Sequence, residues 1–574
     1  MQRLGWLLVA VWALAACDSG PVTDYPPAPA PEALRAHGEE FRQQVVEVTD
    51  GVYVAIGFGI ANAIMIEGDD GIIIVDTLES LDIAREVMAL FRVITDKPVH
   101  ALIYTHSHPD HILGAAAFVE PGQAVEVIAH ETLARNAQQV MSVLQPIITR
   151  RSMFMYGNWL NAEERTNVGI GPFVALRPDS QVQMLPPTLT FSDRLELDIA
   201  GVQLVLEHAP GETDDHLFVW LPERGVLMPG DNIYKAFPNL YTLRGTSYRD
   251  PRAWADSLDR MRQLEASFLV PSHGQPVAGQ ASVAEALTVY RDGIRYVYDQ
   301  TVRLMNAGLT ADDIAARLRL PPHLASSPWL QGFYGRPDWS ARSIYQGLLG
   351  WYDSNPTHLN PLPPADRAQR VISLAGGDTA LMSTIEEALA AEDFAWVLEL
   401  TDHLLRVFPA HTGARDARIS ALRALAAAES NPNARHYYLT TADELAGRYR
   451  VPDRLVEPDP AMLASLPLDA FFAGMEVALD GEAAWNVQQR VAFEFPDLGQ
   501  AYTLEVRQGV TERLPGVHTE ADIHVRVDSL AFKQLLAGQR NPALALAVDF
   551  DFQRGGRLGL ARFLRLFGTD LEVK

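Results

Sequence analysis

The sequence predicts an α/β layered domain, followed by an all-helical domain and a small α+β domain. Between residues 41 and 282, short apolar runs typical of buried strands alternate with segments of helical periodicity. Helical periodicity dominates residues 283–447, which are rich in alanine. Strand-like alternation returns in residues 455–574, a length that is ordinary for an independent fold. These changes of pattern set the predicted domain boundaries.

The first domain opens with strands at residues 45–48 and 52–55, separated by Asp50-Gly51, a dipeptide typical of hairpin turns. Further strands are predicted at residues 61–66, 71–76, 99–104, 125–129, 195–197, 202–206, 217–220, 225–228 and 268–271, with a helix at 82–91. Residues 145–190 are less regular. An insertion of this length in a compact domain is more often functional than idle.

The two later domains are joined to their neighbours by proline-rich segments. Thr310 is a good N-cap for a helix with an acidic first turn. A joint follows at residues 360–364, and a linker is predicted at residues 451–460. The last domain has strands at residues 491–495, 502–506 and 523–527, with helices at 529–536 and 558–567.

Composition excludes some classes of partner. The chain has 574 residues, 48% of them hydrophobic, so large cores are possible and global disorder is not expected. The net charge is −25, and the sequence has no long basic run. Because nucleic-acid binding requires clustered Lys and Arg side chains, we expect no nucleic-acid partner.

The N-terminus is typical of an exported bacterial lipoprotein. Residues 1–16 combine an early arginine with a short apolar run, the pattern of a signal peptide. The run ends in Leu14-Ala15-Ala16-Cys17, which resembles a lipobox, and Cys17 is the single cysteine of the chain. We expect Cys17 to be lipidated and residues 17–40, rich in Pro and Ala, to be a linker. The protein would then be anchored at the periplasmic side of the cell membrane. The alternative is a plain signal peptide cut nearby.

Candidate metal ligands are concentrated in Thr105–His111, which follows a predicted buried strand. In extended chain, side chains at alternate positions project to one side, so His106, His108 and Asp110 can converge. His111 opens a helical segment. Imidazoles and carboxylates at this spacing suit zinc or a similar metal. A single histidine after a strand would be an ordinary polar residue, but four such groups indicate a metal site. With one cysteine, no thiolate cluster can replace them.

Three more candidate ligands follow strands farther along the chain. We expect His216 to complete one site and His273 to complete another, with Asp231 shared between them. The predicted sets are His106, His108 and His216 for one metal, and Asp110, His111 and His273 for the other. The neighbouring Glu212, Asp214 and Asp215 are interpreted as solvated or supporting acids. Two adjacent metals can generate hydroxide near neutral pH, which is the chemistry of hydrolysis. No Ser-His-Asp or Cys nucleophile motif is evident.

Two levels of resemblance follow from these residues. The spacing His-x-His-x-Asp-His resembles the metallo-β-lactamase superfamily signature. Asn232-Ile233-Tyr234, Tyr241–Gly245 and Gly350–Leu359 resemble the linear alkyl-sulfatase family over nearly all of the mature chain. That resemblance implies an αββα metallo-β-lactamase sandwich, a helical dimerisation domain that makes a homodimer, and a C-terminal domain like sterol carrier protein type 2. It also implies two Zn²⁺ per chain and hydrolysis of alkyl sulfate esters.

The resemblance also implies substrate contacts. Arg244 corresponds to a sulfate-binding arginine and is expected to take part in catalysis, as is Asp110 through its metal. Tyr156 and Asn158 match residues that hold the sulfate. A planar guanidinium suits a tetrahedral oxyanion. The alternatives are a surface salt bridge for Arg244 and a loop-stabilising role for the other two. The family pattern has glutamates where we align His216 and Asp231.

Three hypotheses follow. The first is a dinuclear zinc hydrolase that cleaves amphiphilic alkyl sulfates to alcohol and sulfate. The second keeps the fold but changes the substrate to a phosphoester, lactone or β-lactam. The third is a non-catalytic envelope protein that binds amphiphiles. Ester assays separate the first two, and metal content separates both from the third.

Overall fold

The computed structural model describes residues 25–452, 456–457 and 460–568. Two compact units are present: one comprises residues up to Pro29, Leu362–Ala427 and Tyr438–Val451, and the other comprises Ala30–Pro361, Ala428–Tyr437 and the residues from Pro452 onward. The predicted signal peptide and Cys17 lie outside the described residues. Within the described ranges, no helix is long and apolar enough to cross a membrane.

The first sheet of the second unit contains seven strands, which neighbour one another in chain order. They are β1 (Gln44–Thr49), β2 (Val52–Ile56), β3 (Ala63–Glu67), β4 (Ile72–Val75), β5 (Val99–Ile103), β6 (Glu126–His130) and β7 (Leu189–Phe191). Strands β1 to β4 pair antiparallel, and β4 to β7 pair parallel. All four residues of β4 are buried, as expected for a strand covered on both faces.

The second sheet contains six strands in the order β13-β12-β11-β10-β9-β8. They are β8 (Arg194–Ile199), β9 (Val202–His208), β10 (Leu217–Leu221), β11 (Val226–Met228), β12 (Phe268–Leu269) and β13 (Val277–Ala278). Only the β11–β12 pair is parallel among these described strands. The two sheets pack face to face through a shared apolar core that includes Ile64 and Leu204.

Helices cover the outer faces of both sheets. They are α1 (Glu32–His37), α2 (Leu81–Ile94), α3 (Pro109–Ile112), α4 (Leu133–Gln138), α5 (Gln145–Tyr156), α6 (Pro251–Arg262), α7 (Gln280–Asn306), α8 (Ala311–Arg317), α9 (Pro322–Ala325) and α10 (Pro337–Leu349). Phe91 of α2 packs on the first sheet, and Trp254 of α6 packs on the second. These layers confirm the predicted αββα sandwich.

The predicted boundary after residue 282 falls inside α7. Ile294 of α7, Ile314 of α8 and Ile344 of α10 share one buried core with Trp254 of α6. Helical periodicity begins to dominate the sequence at this boundary. The helices that follow nevertheless bury their apolar faces against the helical layer that covers the second sheet. The sequence pattern therefore becomes helical before the core of the sandwich domain ends.

The remaining helices of this middle region are α11 (Pro364–Leu374), α12 (Asp378–Ala390), α13 (Phe394–Val407), α14 (Thr412–Ala428) and α15 (Pro432–Leu445). Helices α11 to α14 bury a common core that includes Ile372, Ile385 and Leu404. These apolar positions recur at helical spacing, which is why the sequence predicts an all-helical region here.

The C-terminal region is a five-stranded sheet with helices packed against it. Its elements are α16 (Pro460–Ser465), α17 (Leu468–Ala478), β14 (Gln488–Phe495), β15 (Gln500–Arg507), β16 (Val510–Pro515), β17 (Ile523–Val527), α18 (Ser529–Leu536), α19 (Pro542–Val548), β18 (Phe550–Arg554) and α20 (Arg557–Arg565). The strand order is β16-β15-β14-β17-β18. Phe472, Phe493 and Phe532 form its aromatic centre. The apolar side of α20 is buried in the same core.

Candidate metal centre

The conformation of the chain changes in the middle of Thr105–His111. This stretch follows β5, and His108 still has extended dihedrals, with φ −67° and ψ 145°. Pro109 then begins α3 at its first position, where its fixed φ suits a helix and its missing N–H costs nothing. Asp110 and His111 therefore project from a helical turn. This change of direction separates the two pairs of ligands.

Two further candidate ligands follow the ends of strands β11 and β12 and lie near the same group of residues. Asp231 lies in a short 3₁₀ turn, Gly230–Asn232, directly after β11. His273 lies four residues after β12 ends at Leu269. Gly230 has φ +57°, and a Cβ there would lie 2.6 Å from the ring of His216. Glycine is required at this position, because any side chain would displace that ring.

His106, His108 and Asp231 form the first group of converging ligand atoms. The Nε2 of His106 lies 2.8 Å from the Nδ1 of His108. The Oδ2 of Asp231 lies 3.7 Å from the Nε2 of His106. All three residues are buried. At this distance the two nitrogens are within hydrogen-bonding range of each other and are placed to turn towards one bound cation.

Asp110, His111 and His273 form the second group. The Oδ2 of Asp110 lies 3.4 Å from the Nε2 of His111 and 3.6 Å from the Nε2 of His273. The Oδ2 of Asp231 is also close, at 3.4 Å from His111 and 3.1 Å from His273. Asp231 therefore stands between the two groups, which is the position that the sequence analysis predicted for a shared carboxylate.

Hydrogen bonds fix which nitrogen each ring presents. The Nδ1 of His111 donates to Asp76 at 2.7 Å, and the Nδ1 of His273 donates to the carbonyl of Ile60 at 2.7 Å. Asp76 also accepts from the hydroxyl of Ser272 at 2.6 Å. Both rings thus turn their Nε2 atoms towards Asp110 and Asp231. Such outer partners orient metal-binding histidines and make them better ligands.

The charges of the site suit metal binding. Burial, together with neighbouring His111, holds the pKa of His106 well below its ordinary value. Burial and the adjacent Arg244 do the same to the pKa of His108. Burial alone would raise the pKa of Asp231, but His273 and His111 outweigh it and hold that pKa well below the ordinary value. Burial alone would lower the pKa of His111 and His273, but Asp231 and its neighbouring carboxylates outweigh it and raise both. A bound cation would take the place of the proton at these two rings, since metal binding requires neutral imidazoles and ionised carboxylates.

Several buried polar atoms of this site lack a hydrogen-bond partner, as expected for atoms that bind a metal ion. The Nε2 of His111, the Oδ1 of Asp231 and an Oε2 of Glu212 have no hydrogen-bond partner in the described part of the chain. Buried groups left unsatisfied are costly, and native proteins contain few of them. A bound cation would satisfy the atoms of His111 and Asp231 directly. The residues present therefore fit one or two divalent metals.

His216 is buried near this centre, but the structure does not bring it into either group. Its ring lies 4.9 Å from the ring of His106. Its Nε2 accepts the backbone N–H of Asp231 at 3.0 Å, so that nitrogen is already used. Burial lowers the pKa of His216 to about 3. The predicted role of His216 as the third ligand is not supported by this geometry, which shows a ring that holds the Asp231 turn.

Glu212 is a buried acid beside the first group that the sequence analysis did not propose as a ligand. Its Oε1 lies 4.0 Å from the Nδ1 of His108 and 2.7 Å from Arg249. The side chain is 3% exposed. A signal in the sequence could have found it. Pro210-Gly211-Glu212 follows β9 just as Pro229-Gly230-Asp231 follows β11, so both acids stand at the same point of a Pro-Gly turn at a strand end.

Arg244 lies beside the first group and is 8% exposed. Its Nη2 donates to the Nε2 of His108 at 2.9 Å. In the described structure no carboxylate lies within ion-pair distance of Arg244. Tyr156 also reaches the site, and its hydroxyl shares a 3.0 Å hydrogen bond with that of Tyr334. Asn158 does not line the cavity described next, although its Oδ1 is buried without a described partner.

A mostly apolar cavity of about 260 Å³ opens onto these residues. Its polar end contains His108, Asp110, Tyr156, Glu212, Asp231 and Arg244. Its walls include Leu113, Met141, Leu176, Met184, Met462 and Leu466. The last two belong to the C-terminal region, at and just after α16. The arrangement offers a charged end for an anion and an apolar body for a hydrocarbon tail. The irregular segment that the sequence analysis expected to be functional lines much of it.

These features define a class of protein. An αββα sandwich with two groups of histidines and carboxylates at its strand ends is a metal-dependent hydrolase of the metallo-β-lactamase superfamily. Three family models match the chain: one described as metallo-beta-lactamase superfamily over residues 56–273, one as alkyl sulfatase dimerisation over 310–448, and one as alkyl sulfatase C-terminal over 457–569.

Relatives narrow the class to a family. A linear primary-alkylsulfatase from Pseudomonas sp. (strain ATCC 19151) is 39% identical over 525 residues, which cover 88% of this chain and 98% of the relative. The alkyl/aryl-sulfatase BDS1 of Saccharomyces cerevisiae is 30% identical over 533 residues, covering 91% and 82%. The solved structure of the stereoselective inverting sec-alkylsulfatase Pisa1 from Pseudomonas sp. is 27% identical, with a TM-score of 0.86 and coverage of 96% and 88%. The chain belongs to the alkyl sulfatase family of the metallo-β-lactamase superfamily, which confirms the resemblance.

Proposed function

We propose that this protein hydrolyses alkyl sulfate esters to an alcohol and inorganic sulfate. The observation that carries this proposal is the position of Arg244. Its guanidinium is buried, has no carboxylate partner among the described residues, and lies where the ligand groups meet the apolar cavity. A buried cation without a counter-charge is unfavourable. An anionic head group would pair with Arg244, and its apolar tail would pack against the walls of the apolar cavity.

The metal centre is proposed to hold two Zn²⁺ ions. We assign His106, His108 and Glu212 to one ion, Asp110, His111 and His273 to the other, and Asp231 to both. Two such cations supply Lewis acidity at an ester oxygen and activate water for hydrolysis. His216 is not assigned to either ion. Its ring accepts the backbone N–H of Asp231 and helps to position that residue.

The head group is proposed to bind at the polar end of the cavity. Arg244 can donate two parallel hydrogen bonds to sulfate oxygens, which fixes the orientation of the ester. The hydroxyls of Tyr156 and Tyr334 lie at the same end and can donate to the remaining oxygens. Burial raises the pKa of Tyr156, so this hydroxyl keeps its proton and remains a donor at neutral pH. Asn158 is retained as a head-group contact on the strength of the family resemblance alone.

The substrate assay uses the full chain loaded with Zn²⁺. Sulfate release from sodium dodecyl sulfate is expected, with loss of release after chelation and in His108→Ala. His323→Ala is the matched control, because His323 is exposed on α9 and is expected to leave release unchanged. Failure to release sulfate from alkyl sulfates of any chain length would overturn the proposal.

Parallel assays address the alternatives. Phosphate monoesters, lactones and a β-lactam are tested at equal concentration, and the proposal requires the alkyl sulfate to have the highest kcat/KM. Metal analysis that found under one zinc per chain after reconstitution would instead favour a protein that only binds amphiphiles.

The assembly and location are also proposals. The match to the alkyl sulfatase dimerisation model over residues 310–448 supports a homodimer, which analytical ultracentrifugation tests as a mass twice that of the chain. The lipobox at Cys17 supports an exported lipoprotein on the periplasmic side of the cell membrane. Mass spectrometry of the mature N-terminus is expected to find acylated Cys17, and Cys17→Ala is expected to release the protein from membranes.

A further inference from the structure

A second cavity, of about 400 Å³, is also lined by residues of the candidate metal centre. It shares His108, Glu212 and Arg244 with the apolar cavity. The dividing segment, residues 139–156, consists of a π-turn, Gln139–Val143, and helix α5. Val140 and Ile148 of this segment line both cavities. The two cavities therefore meet at the head-group position, and the dividing segment contributes to the lining of both.

Polar atoms make up a larger share of the lining of the second cavity than of the first, and we call it the polar cavity. Besides the shared residues, its lining includes the polar Asn136, Arg151, Thr213, Thr246, Ser247 and Arg249, together with Leu144, Ile147 and Tyr248. Arg249 is neutralised by Glu212 at 2.7 Å. Asp214 also lines this cavity but is exposed to solvent. Arg151 and Arg244 are thus left without a carboxylate partner in the described structure. Two guanidiniums facing one cavity make it attractive to an anion.

Arg151 is held in place by the turn that carries Arg244. Its Nε donates to the carbonyl of Leu243 at 3.0 Å, and its Nη2 donates to the hydroxyl of Tyr241 at 3.5 Å. Gly245, with φ +100°, has no side chain, and a Cβ there would lie 3.8 Å from the Nη1 of Arg151. The guanidinium of Arg151 therefore lies against the turn next to Arg244.

We propose that the polar cavity is the exit route for inorganic sulfate, and that Arg151 provides an anion subsite along it. This inference rests on the proposed function. Hydrolysis of the alkyl sulfate monoanion by one water leaves an alcohol in the apolar cavity, a sulfate dianion beside Arg244 and one proton, which passes to solvent. Passage of a dianion along apolar walls would require its dehydration, which is strongly unfavourable. The polar cavity offers a second guanidinium and solvent on the other side of the dividing segment.

The first test is product inhibition by sodium sulfate, using the full, zinc-loaded chain and dodecyl sulfate as substrate. Sulfate at Arg244 competes with the substrate, whereas sulfate at Arg151 can bind while the substrate is present. Wild type is therefore expected to show mixed inhibition. In Arg151→Gln the uncompetitive inhibition constant is expected to rise at least about tenfold, with partial recovery in Arg151→Lys. Arg252→Gln, at an exposed position on α6, is the matched control.

A purely structural role for Arg151 gives a different result. If Arg151 only held the turn of Arg244, then Arg151→Gln would raise KM and the competitive constant by the same factor. That result, or purely competitive inhibition in wild type, would overturn the inference. If wild type releases no sulfate at all, the proposed function fails instead, so the two failures are distinguishable.

A second test narrows each cavity separately. Thr246→Trp obstructs the polar cavity and is expected to give a rapid burst of alcohol followed by a slower steady state, because sulfate release becomes limiting. Met184→Trp obstructs the apolar cavity and is expected to raise KM for dodecyl sulfate without a burst. The reverse pattern, with a burst only in Met184→Trp, would show that sulfate leaves through the apolar cavity.

Discussion

The ring of His216 accepts the backbone N–H of Asp231 over 3.0 Å. This bond ties a buried histidine to the turn that delivers the shared carboxylate, and it uses the nitrogen that faces that turn. Gly230 allows the close approach, since a Cβ there would meet the same ring. The ring of His216 therefore contacts the Asp231 turn, whereas a carboxylate oxygen of Glu212 lies 4.0 Å from the Nδ1 of His108.

The first prediction separates Glu212 from His216 by metal content. Glu212→Gln keeps a partner for Arg249 but removes the ligand charge, so one of two bound metals is expected to be lost on dialysis. His216→Ala is expected to retain both metals and to lower the free energy of unfolding by about 1–3 kcal/mol, because the N–H of Asp231 loses its acceptor. Elemental analysis and denaturant titration measure the two effects. Equal metal loss in both variants would contradict this assignment.

The second prediction concerns Asp76, which accepts the Nδ1 proton of His111 at 2.7 Å. Asp76→Asn is expected to weaken metal affinity by about 10–100-fold, the usual cost of losing a carboxylate that orients a metal-binding histidine. Competition against a chromophoric chelator measures the change. Asp70→Asn is the control, because the side chain of Asp70 is 77% exposed. Unchanged affinity in Asp76→Asn would show that the ring of His111 needs no such partner.

The third prediction concerns the shape of the cation at residue 244. Arg244→Lys keeps the charge but loses the planar fork of donors, so kcat/KM for alkyl sulfates is expected to fall about 100-fold. Steady-state kinetics across several chain lengths measure this, and the loss is expected to be the same for short and long tails. A loss of kcat/KM that grew with chain length would show that Arg244 contacts the alkyl tail of the substrate rather than its sulfate group. Arg252→Lys serves as the control at an exposed position.

Local pattern was enough to predict the sandwich and most of the residues that the structure brings together as a candidate metal centre. Buried strands such as β4 and β5 are mostly apolar runs, and the candidate ligands His106, His108, Asp110 and His111 lie within the eight residues that follow β5. Asp231 and His273 were found because each follows a strand that ends at the same edge. Topology then brings them together, as expected for the ends of neighbouring strands.

What the sequence could not decide was which side chain turns inward within a loop. Residues 209–216 contain one histidine and three acids, and histidine is the commoner zinc ligand. The choice depends on Gly230, whose missing side chain lets the ring of His216 pack against the Asp231 turn, a contact between segments that are distant in sequence. The apolar cavity is likewise invisible in sequence, because α5, the loop before β7 and residues 462–466 contribute its walls separately.

The last prediction concerns Glu79, a buried carboxyl on the wall of the apolar cavity. Its Oε1 accepts the backbone N–H groups of Ile60 at 3.0 Å and Ala175 at 2.7 Å. Burial, with a further contribution from Asp110, raises its pKa from 4.5 to about 7. Between those values the folded protein keeps a proton that the unfolded chain has lost. Rising pH therefore favours unfolding across that window, by about 3 kcal/mol in total.

Glu79→Gln removes this titration while its amide oxygen can still accept both N–H groups. In chelator-treated protein, the wild type is expected to lose about 3 kcal/mol more stability than the variant between pH 5 and pH 8. Urea titrations at several pH values measure the difference, and groups common to both proteins cancel from it. The two proteins should be about equally stable near pH 4.5. Parallel stability curves over the whole range would show that Glu79 ionises at its ordinary pKa and that its burial does not disfavour the charged form.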